Sequence, residues 1–225
     1  MKIVVLAAHP DDEVLGCGGT IYKHYLNNDE ITVVIVTDGY MKDYNDEEFR
    51  NLKREHAKKS CDLLGVNKVL FLGYKGAKLD LVSNSEINGH ISKIISEEKP
   101  DIVYTHHWGD LNRDHLVVFE ATIVACRPHR HNEKHIKEVL CYEVLSSSEW
   151  SGKIGEDFFT PTYYNVLTKK IIDKKIEAFE NYETEQCVYP HPRSIESVKN
   201  LTQHRGFNIN KEYAEAFAIV RTIKE

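Results

Sequence analysis

A chain of 225 residues and 26.0 kDa is long enough to bury roughly 70–75% of its unfolded surface, so its core needs no disulfide or metal. Its 29 Lys and Arg against 35 Asp and Glu give a net charge of −6, which leaves no surplus of cations to displace the counterions of a phosphate backbone and excludes a general nucleic-acid binder. Hydrophobic residues make up 41% and charged residues 28%, which excludes a disordered chain. Twelve histidines are the compositional oddity, and they direct attention to metal ligation.

The first apolar run, residues 2–8 (KIVVLAA), has the composition of a strand buried on both faces. It is too short to span a membrane, and His9-Pro10-Asp11-Asp12 interrupts it where a signal peptide would continue. A helix is predicted over residues 13–26. Gly16, Gly18 and Gly19 are poor helix formers in its first half, so they mark close packing or a tight backbone approach. A second buried strand follows at 31–37 and a polar loop through Asp38-Gly39. The next helix covers 48–64, stopped by Gly65. Strand 68–72, helix 85–98 (ended by Pro100), strand 101–105 and helix 114–127 (ended by Pro128) complete a regular alternation.

The second half is less regular. Strands are predicted at 138–145 and 163–167, with helices at 169–182 and 195–205. Residues 213–221 fit a strand or a short helix. The alternation predicts an α/β architecture, a Rossmann-like three-layer sandwich with a mostly parallel central sheet. With no repeat or linker, one domain over residues 1–225 is expected. Cys17, Cys61, Cys126, Cys141 and Cys187 are widely spaced, and their number is odd. Buried free thiols in a cytoplasmic protein fit that pattern better than a disulfide framework or thiolate zinc site.

Two polar clusters carry chemistry. His9-Pro10-Asp11-Asp12-Glu13 sits at the first strand-to-helix turn, where carboxylates are stabilised by a helix N-terminus even without a further role. His9 and Asp12 could nevertheless converge on one divalent ion. The second cluster, His106-His107-Trp108-Gly109-Asp110-Leu111-Asn112-Arg113-Asp114-His115, follows the fourth strand and offers His115 as a third ligand. Two imidazoles and a carboxylate form a ligand set of catalytic zinc. Ligands in open parallel sheets bind beyond the carboxyl ends of the strands, and loops from neighbouring strands can meet there. Their meeting requires the first and fourth strands to be neighbours.

These residues resemble the PIG-L/LmbE zinc-dependent N-deacetylases. The resemblance rests on Ala8-His9-Pro10-Asp11-Asp12-Glu13 with Gly16-Cys17-Gly18-Gly19 behind it. It continues through Thr37-Asp38-Gly39, Arg54-Glu55, Asp114-His115, Pro190-His191-Pro192-Arg193-Ser194 and Tyr213-Ala214-Glu215-Ala216-Phe217. It implies that His9, Asp12 and His115 ligate Zn2+ or another divalent transition metal. Asp11 would be the general base, taking a proton from water activated by the metal and passing it to the leaving amine. The implied reaction is de-N-acetylation of an N-acetylglucosamine-type small molecule. Arg54, Asn112, Asp114 and Arg193 would contact substrate, and a homo-oligomer is expected from the same resemblance.

Many such enzymes carry a histidine where this chain has Asn112. An amide donates a hydrogen bond but delivers no proton near neutral pH, which leaves the proton-donating role to Asp11, His106, His107 or another histidine. Glu215, in its apolar frame, reads as a buried partner of an arginine. His129, His131 and His135 read as surface histidines. An amidase acting on a non-sugar N-acyl metabolite would share every residue named. A non-catalytic sugar-binding relative would have no need of Asp11. A nicotinamide-dependent dehydrogenase is excluded because the glycines do not form GxGxxG and the turn is acidic where a pyrophosphate would sit.

Overall fold

The computed structural model describes residues 1–128, 136–152 and 155–224; His129, His131 and His135 fall outside them. The chain forms β1 (Lys2–Ala7), α1 (Asp12–Leu26), β2 (Glu30–Thr37), α2 (Glu47–Leu63), β3 (Lys68–Tyr74), α3 (Asn84–Glu98), β4 (Ile102–His106) and α4 (Arg113–Ala125). It continues through β5 (Glu138–Tyr142), β6 (Tyr163–Leu167), α5 (Lys169–Phe179), α6 (Ile195–Phe207) and β7 (Tyr213–Thr222). These elements build one seven-stranded sheet in the order β3-β2-β1-β4-β5-β7-β6. Strands β1 to β5 pair in parallel, while β7 runs antiparallel to both β5 and β6.

Side-chain alternation explains the three layers. Along β1, Ile3, Val5 and Ala7 enter one core with residues of α1, α2, α5 and α6. Val4, Leu6 and Ala8 enter the opposite core with residues of α3 and α4. Because both faces of a central parallel strand are covered, its sequence is apolar throughout. Helix starts follow ordinary capping chemistry. The side chains of Asp46, Ser83, Asn112, Thr168 and Ser194 each accept a backbone N–H from the first turn of α2, α3, α4, α5 and α6. Among the described residues no helix is long and apolar enough to cross a membrane.

β1 and β4 are neighbours, with Ile3 opposite Ile102 and Val5 opposite Tyr104. The chain leaves β1 toward β2 and β3 on one side, then returns to β4 on the other. The crevice beyond Ala7 and His106 is therefore the sheet's topological switch point.

Helix α1 is kinked at Cys17, where φ is −146°. Gly16 precedes the kink because a Cβ there would lie 2.1 Å from the ring of Tyr142. The kink exposes the amides of Gly19 and Thr20, and Glu215 on β7 accepts both, at 2.9 and 2.7 Å. The charge partner of Glu215 is Lys175 of α5, 2.6 Å away, rather than an arginine. The sequence could not make that assignment, because Lys175 sits in a helix whose other lysines are solvated.

The cysteines correct one expectation. Cys17, Cys61, Cys126 and Cys141 are buried, whereas Cys187 is exposed. Burial pushes the four buried thiols above the usual thiol range, and only a thiolate attacks a disulfide reagent. A colorimetric disulfide reagent is thus expected to titrate one of the five cysteines in the native protein and all five after denaturation. Two or more fast thiols in the native state would contradict this burial pattern.

Candidate metal centre

The turn between β1 and α1 brings the first ligands to the switch point. Asp11 holds it in the left-handed region, with φ 115°, a conformation that Asp and Asn tolerate better than most residues. That turn folds Asp12 back so that its Oδ2 accepts the backbone N–H of His9 at 2.7 Å. Oδ2 also lies 3.3 Å from Nδ1 of His9 and 3.4 Å from Nε2 of His115. The two imidazole nitrogens are 3.2 Å apart. Among the described residues, His9, Asp12 and His115 are the group of donors close enough to hold one metal ion.

The spacing tests whether a metal fits. Tetrahedral bonds of about 2.0–2.1 Å place ligand atoms about 3.3–3.4 Å from one another, and the three observed separations span 3.2 to 3.4 Å. Each imidazole faces a carboxylate on its other nitrogen. Nε2 of His9 is 2.9 Å from Asp114 Oδ2, and Nδ1 of His115 is 3.2 Å from Asp110 Oδ2. Such carboxylate partners set the tautomer and aim of a ligating histidine. Both carboxylates are anchored in turn. Asp114 accepts the backbone N–H groups of Ala77 and Leu79. Asp110 accepts the hydroxyls of Ser147 and Ser148 and the amide of Asn112.

The electrostatics favour positive charge at the triangle's centre. Burial pulls the His115 imidazole down, but Asp12 and Asp110 outweigh it and raise the group to about 10. Burial likewise opposes protonation of His9, and Asp12 and Asp114 overcome it. Asp12 is pushed up by burial and pulled well below the usual carboxylate range by His115, His106 and His9. Ligation of a divalent cation requires unprotonated donor nitrogens, so the cation would take the place of those protons.

His106 lies beneath the triangle, stacked on His115 at a ring separation of 3.9 Å. Its Nε2 accepts the Ala8 N–H at 2.8 Å. Burial and the neighbouring His115 charge lower its imidazole to about 3. His107 is buried in other company: its Nδ1 accepts the Gly109 N–H and its ring packs edge-on to Phe159.

Asp11 is fully buried beside the triangle, and among the described residues neither of its oxygens receives a hydrogen bond. Burial raises its carboxyl well above the ordinary range, against the pull of Arg193, whose Nη1 lies 3.1 Å from Oδ2. Glu13 supports the turn from behind. It accepts the Asp11 N–H at 3.2 Å and the Tyr182 hydroxyl, and burial raises it to about 7.

The four expected substrate contacts behave differently from one another. Asp114 is buried, and both its oxygens are engaged by His9 and the loop after β3. Its carboxylate thus ties His9 to the loop after β3. Asn112 caps α4 by accepting the Asp114 N–H at 2.9 Å. Arg54 presents Nε and Nη2 to Asp38, at 2.7 and 3.0 Å, and so braces the loop after β2. Arg193 stands between Asp11 and Glu185, facing the site. Sequence reasoning assigned no role to Asp110, Glu13 or Glu185. Asp110 stood in the quoted cluster, but nothing in the pattern reveals which acidic residue reaches which imidazole.

Two imidazoles and one carboxylate at the switch point of an α/β sheet, beside a buried carboxylate, form a donor set that could hold one metal ion. Residues 4–126 match the family model described as GlcNAc-PI de-N-acetylase, PIG-L, and the chain belongs to this family. It is 27% identical over 188 residues to "Uncharacterized deacetylase YaiS" of Escherichia coli K12, covering 81% of this chain and 90% of that one. It is 24% identical over 191 residues to "Probable N-acetyl-alpha-D-glucosaminyl L-malate deacetylase 2" of Bacillus anthracis, covering 81% and 80%. The solved N,N'-diacetylchitobiose deacetylase of Pyrococcus horikoshii has the same fold, with TM-score 0.77 and 24% identity over 97% of this chain and 83% of that one.

Proposed function

We propose that the chain is a zinc-dependent hydrolase that removes the acetyl group from an N-acetylglucosamine-type small molecule, releasing acetate and the free amine. The observation that carries this reading is the donor triangle of His9, Asp12 and His115 with the unbonded Asp11 carboxylate beside it. Membership of a family of de-N-acetylases supports the reaction type, and the names of the relatives support a sugar derivative as substrate. A pure binding protein would have no use for a buried carboxylate held free of hydrogen bonds, because that arrangement forfeits stabilisation.

A divalent ion held by these donors supplies Lewis acidity, which polarises an amide carbonyl and acidifies water. The rest is the work of side chains. Asp114 and Asp110 keep His9 and His115 aimed at the centre. Asp11 accepts the proton lost by the attacking water and returns it to the amine nitrogen as the C–N bond breaks. Arg193 balances the charge of Asp11 during that exchange. Asn112, fixed as a cap, takes no proton.

The decisive test is acetate release from a panel of N-acetyl sugars and simple acylated amines, with and without a chelator. Metal-loaded protein should favour the sugars, since binding of remote hydroxyls positions the acetamide. Chelation should abolish turnover and leave the far-UV circular dichroism unchanged, because neither apolar core includes His9, Asp12 or His115. His115→Ala should fail to retain metal. Chelator-insensitive hydrolysis would count against the site, and faster turnover of the plain amines would favour an amidase.

A further inference from the structure

Among the described residues two arginine–carboxylate forks stand beside single-point pairs, one of which is Arg50 Nε to Asp38 Oδ2 at 3.4 Å. Arg54 grips Asp38 through Nε and Nη2, at 2.7 and 3.0 Å. Arg205 grips Glu143 in the same fork, at 2.7 and 2.6 Å. That two-pronged arrangement is the one a guanidinium and a carboxylate adopt when left to themselves. Arg193 and Asp11 do not adopt it. Their single close approach is 3.1 Å from Nη1 to Oδ2, and among the described residues both Asp11 oxygens remain without a hydrogen bond.

The surroundings of Arg193 explain the difference. Its Nε, one prong of the fork, donates to Ser146 Oγ at 3.0 Å. Its Nη1 is shared with Glu185, whose Oε2 lies 3.6 Å away. The other oxygen of Glu185 is held at 2.9 Å by Lys53, a lysine of α2 that is buried and also donates to the Tyr40 carbonyl. The backbone is tied as well, since the Arg193 carbonyl accepts the Cys187 N–H and its own N–H donates to His191 Nδ1. Lys53 and Glu185 thus form a strut that runs from α2 to the loop before α6 and ends on the guanidinium.

We propose that Glu185, anchored by Lys53, is a positioning residue that draws Arg193 out of a two-pronged pair with Asp11 and leaves the Asp11 lone pairs available to a reacting proton. The inference rests on the deacetylase reading for its catalytic consequence, but the strut itself does not. Removing the Glu185 charge frees Arg193 to close on Asp11, occupying the oxygens that must exchange the proton. The loss then falls on the chemical step, not on substrate binding or metal retention.

The test is a double-mutant cycle of Glu185→Gln and Arg193→Met, read in two ways on the metal-loaded protein: kcat and KM for an N-acetylglucosamine derivative, and denaturant unfolding. Glu185→Gln should lower kcat about tenfold, part of the about 10²–10⁴-fold that a positioned base contributes, with KM and metal content unchanged. In the Arg193→Met background the same change should have no effect on kcat, since Glu185 acts through Arg193. The unfolding cycle should show non-zero coupling between the two positions. Wild-type kcat in Glu185→Gln, or an equal loss with and without Arg193, would overturn the proposal. If the wild-type protein releases acetate from no N-acetyl sugar, the deacetylase reading fails by itself. The unfolding cycle then decides the strut alone: coupling supports it, and independence of the two positions overturns it.

Discussion

Asp11→Asn is expected to lower kcat by about 10²–10⁴-fold at unchanged metal occupancy. The change keeps the volume of the side chain and removes its ability to accept a proton near neutral pH. It also spares the backbone, because asparagine tolerates the left-handed conformation that Asp11 adopts at φ 115°. The donors of the metal centre belong to His9, Asp12 and His115, so metal content should hold. In transition-state terms the loss corresponds to about 2.7–5.5 kcal/mol. Asn112→Ala provides the contrast. Its side chain caps α4, and losing such a cap typically costs about 1 kcal/mol of stability. The helix start carrying Asp114 and His115 would loosen, with a rate loss under about tenfold if that energy appeared wholly in the barrier. Steady-state kinetics on both variants, with metal measured in the same samples, makes the comparison. Equal losses would transfer an essential role to Asn112, and a nearly active Asp11→Asn enzyme would remove Asp11 from the mechanism.

Much of this arrangement is legible in the sequence, for identifiable reasons. Strands buried on both faces announce themselves as apolar runs, so residues 2–8 and 31–37 fall within a residue of the observed β1 and β2. The ligand clusters stand directly after β1 and β4, and strand adjacency brings His9, Asp12 and His115 together. What stays hidden is set by tertiary contact. Residues 213–221 could not be assigned because β7 lies between β5 and β6 with successive residues buried on both faces, which removes the period-two signal, while its three alanines favour a helix. That the loop after β3 donates two amides to Asp114 is likewise invisible in the sequence. Arg54 and Arg193 look equivalent in one dimension. Only the fold gives Asp38 to one and divides the other between Asp11 and Glu185.

The largest stability effect should come from a buried ion pair outside the donor triangle. Lys175 and Glu215 have side chains 2% and 4% exposed and are joined at 2.6 Å; Lys175 also donates to the Leu15 carbonyl at 2.8 Å. Lys175→Met removes the ammonium and leaves the Glu215 carboxylate buried, held only by the amides of Gly19 and Thr20 and by whatever water enters. Breaking a buried pair from one side typically costs about 3–5 kcal/mol, and urea unfolding of the metal-free protein should register a loss in that range. Replacing both partners, Lys175→Met with Glu215→Gln, should recover part of it. The glutamine oxygen still accepts an amide of the kinked α1 and no isolated charge remains, so the residual deficit is about the worth of one or two hydrogen bonds, about 1–2 kcal/mol. Because α1 begins at Asp12, metal affinity offers a second reading of the same variants. Lys175→Met should weaken it by loosening the kink behind the ligand, and the double variant should restore it. A single variant that costs under about 1 kcal/mol would show that water replaces the ammonium, and that the kink is held by the Glu215–amide bonds alone.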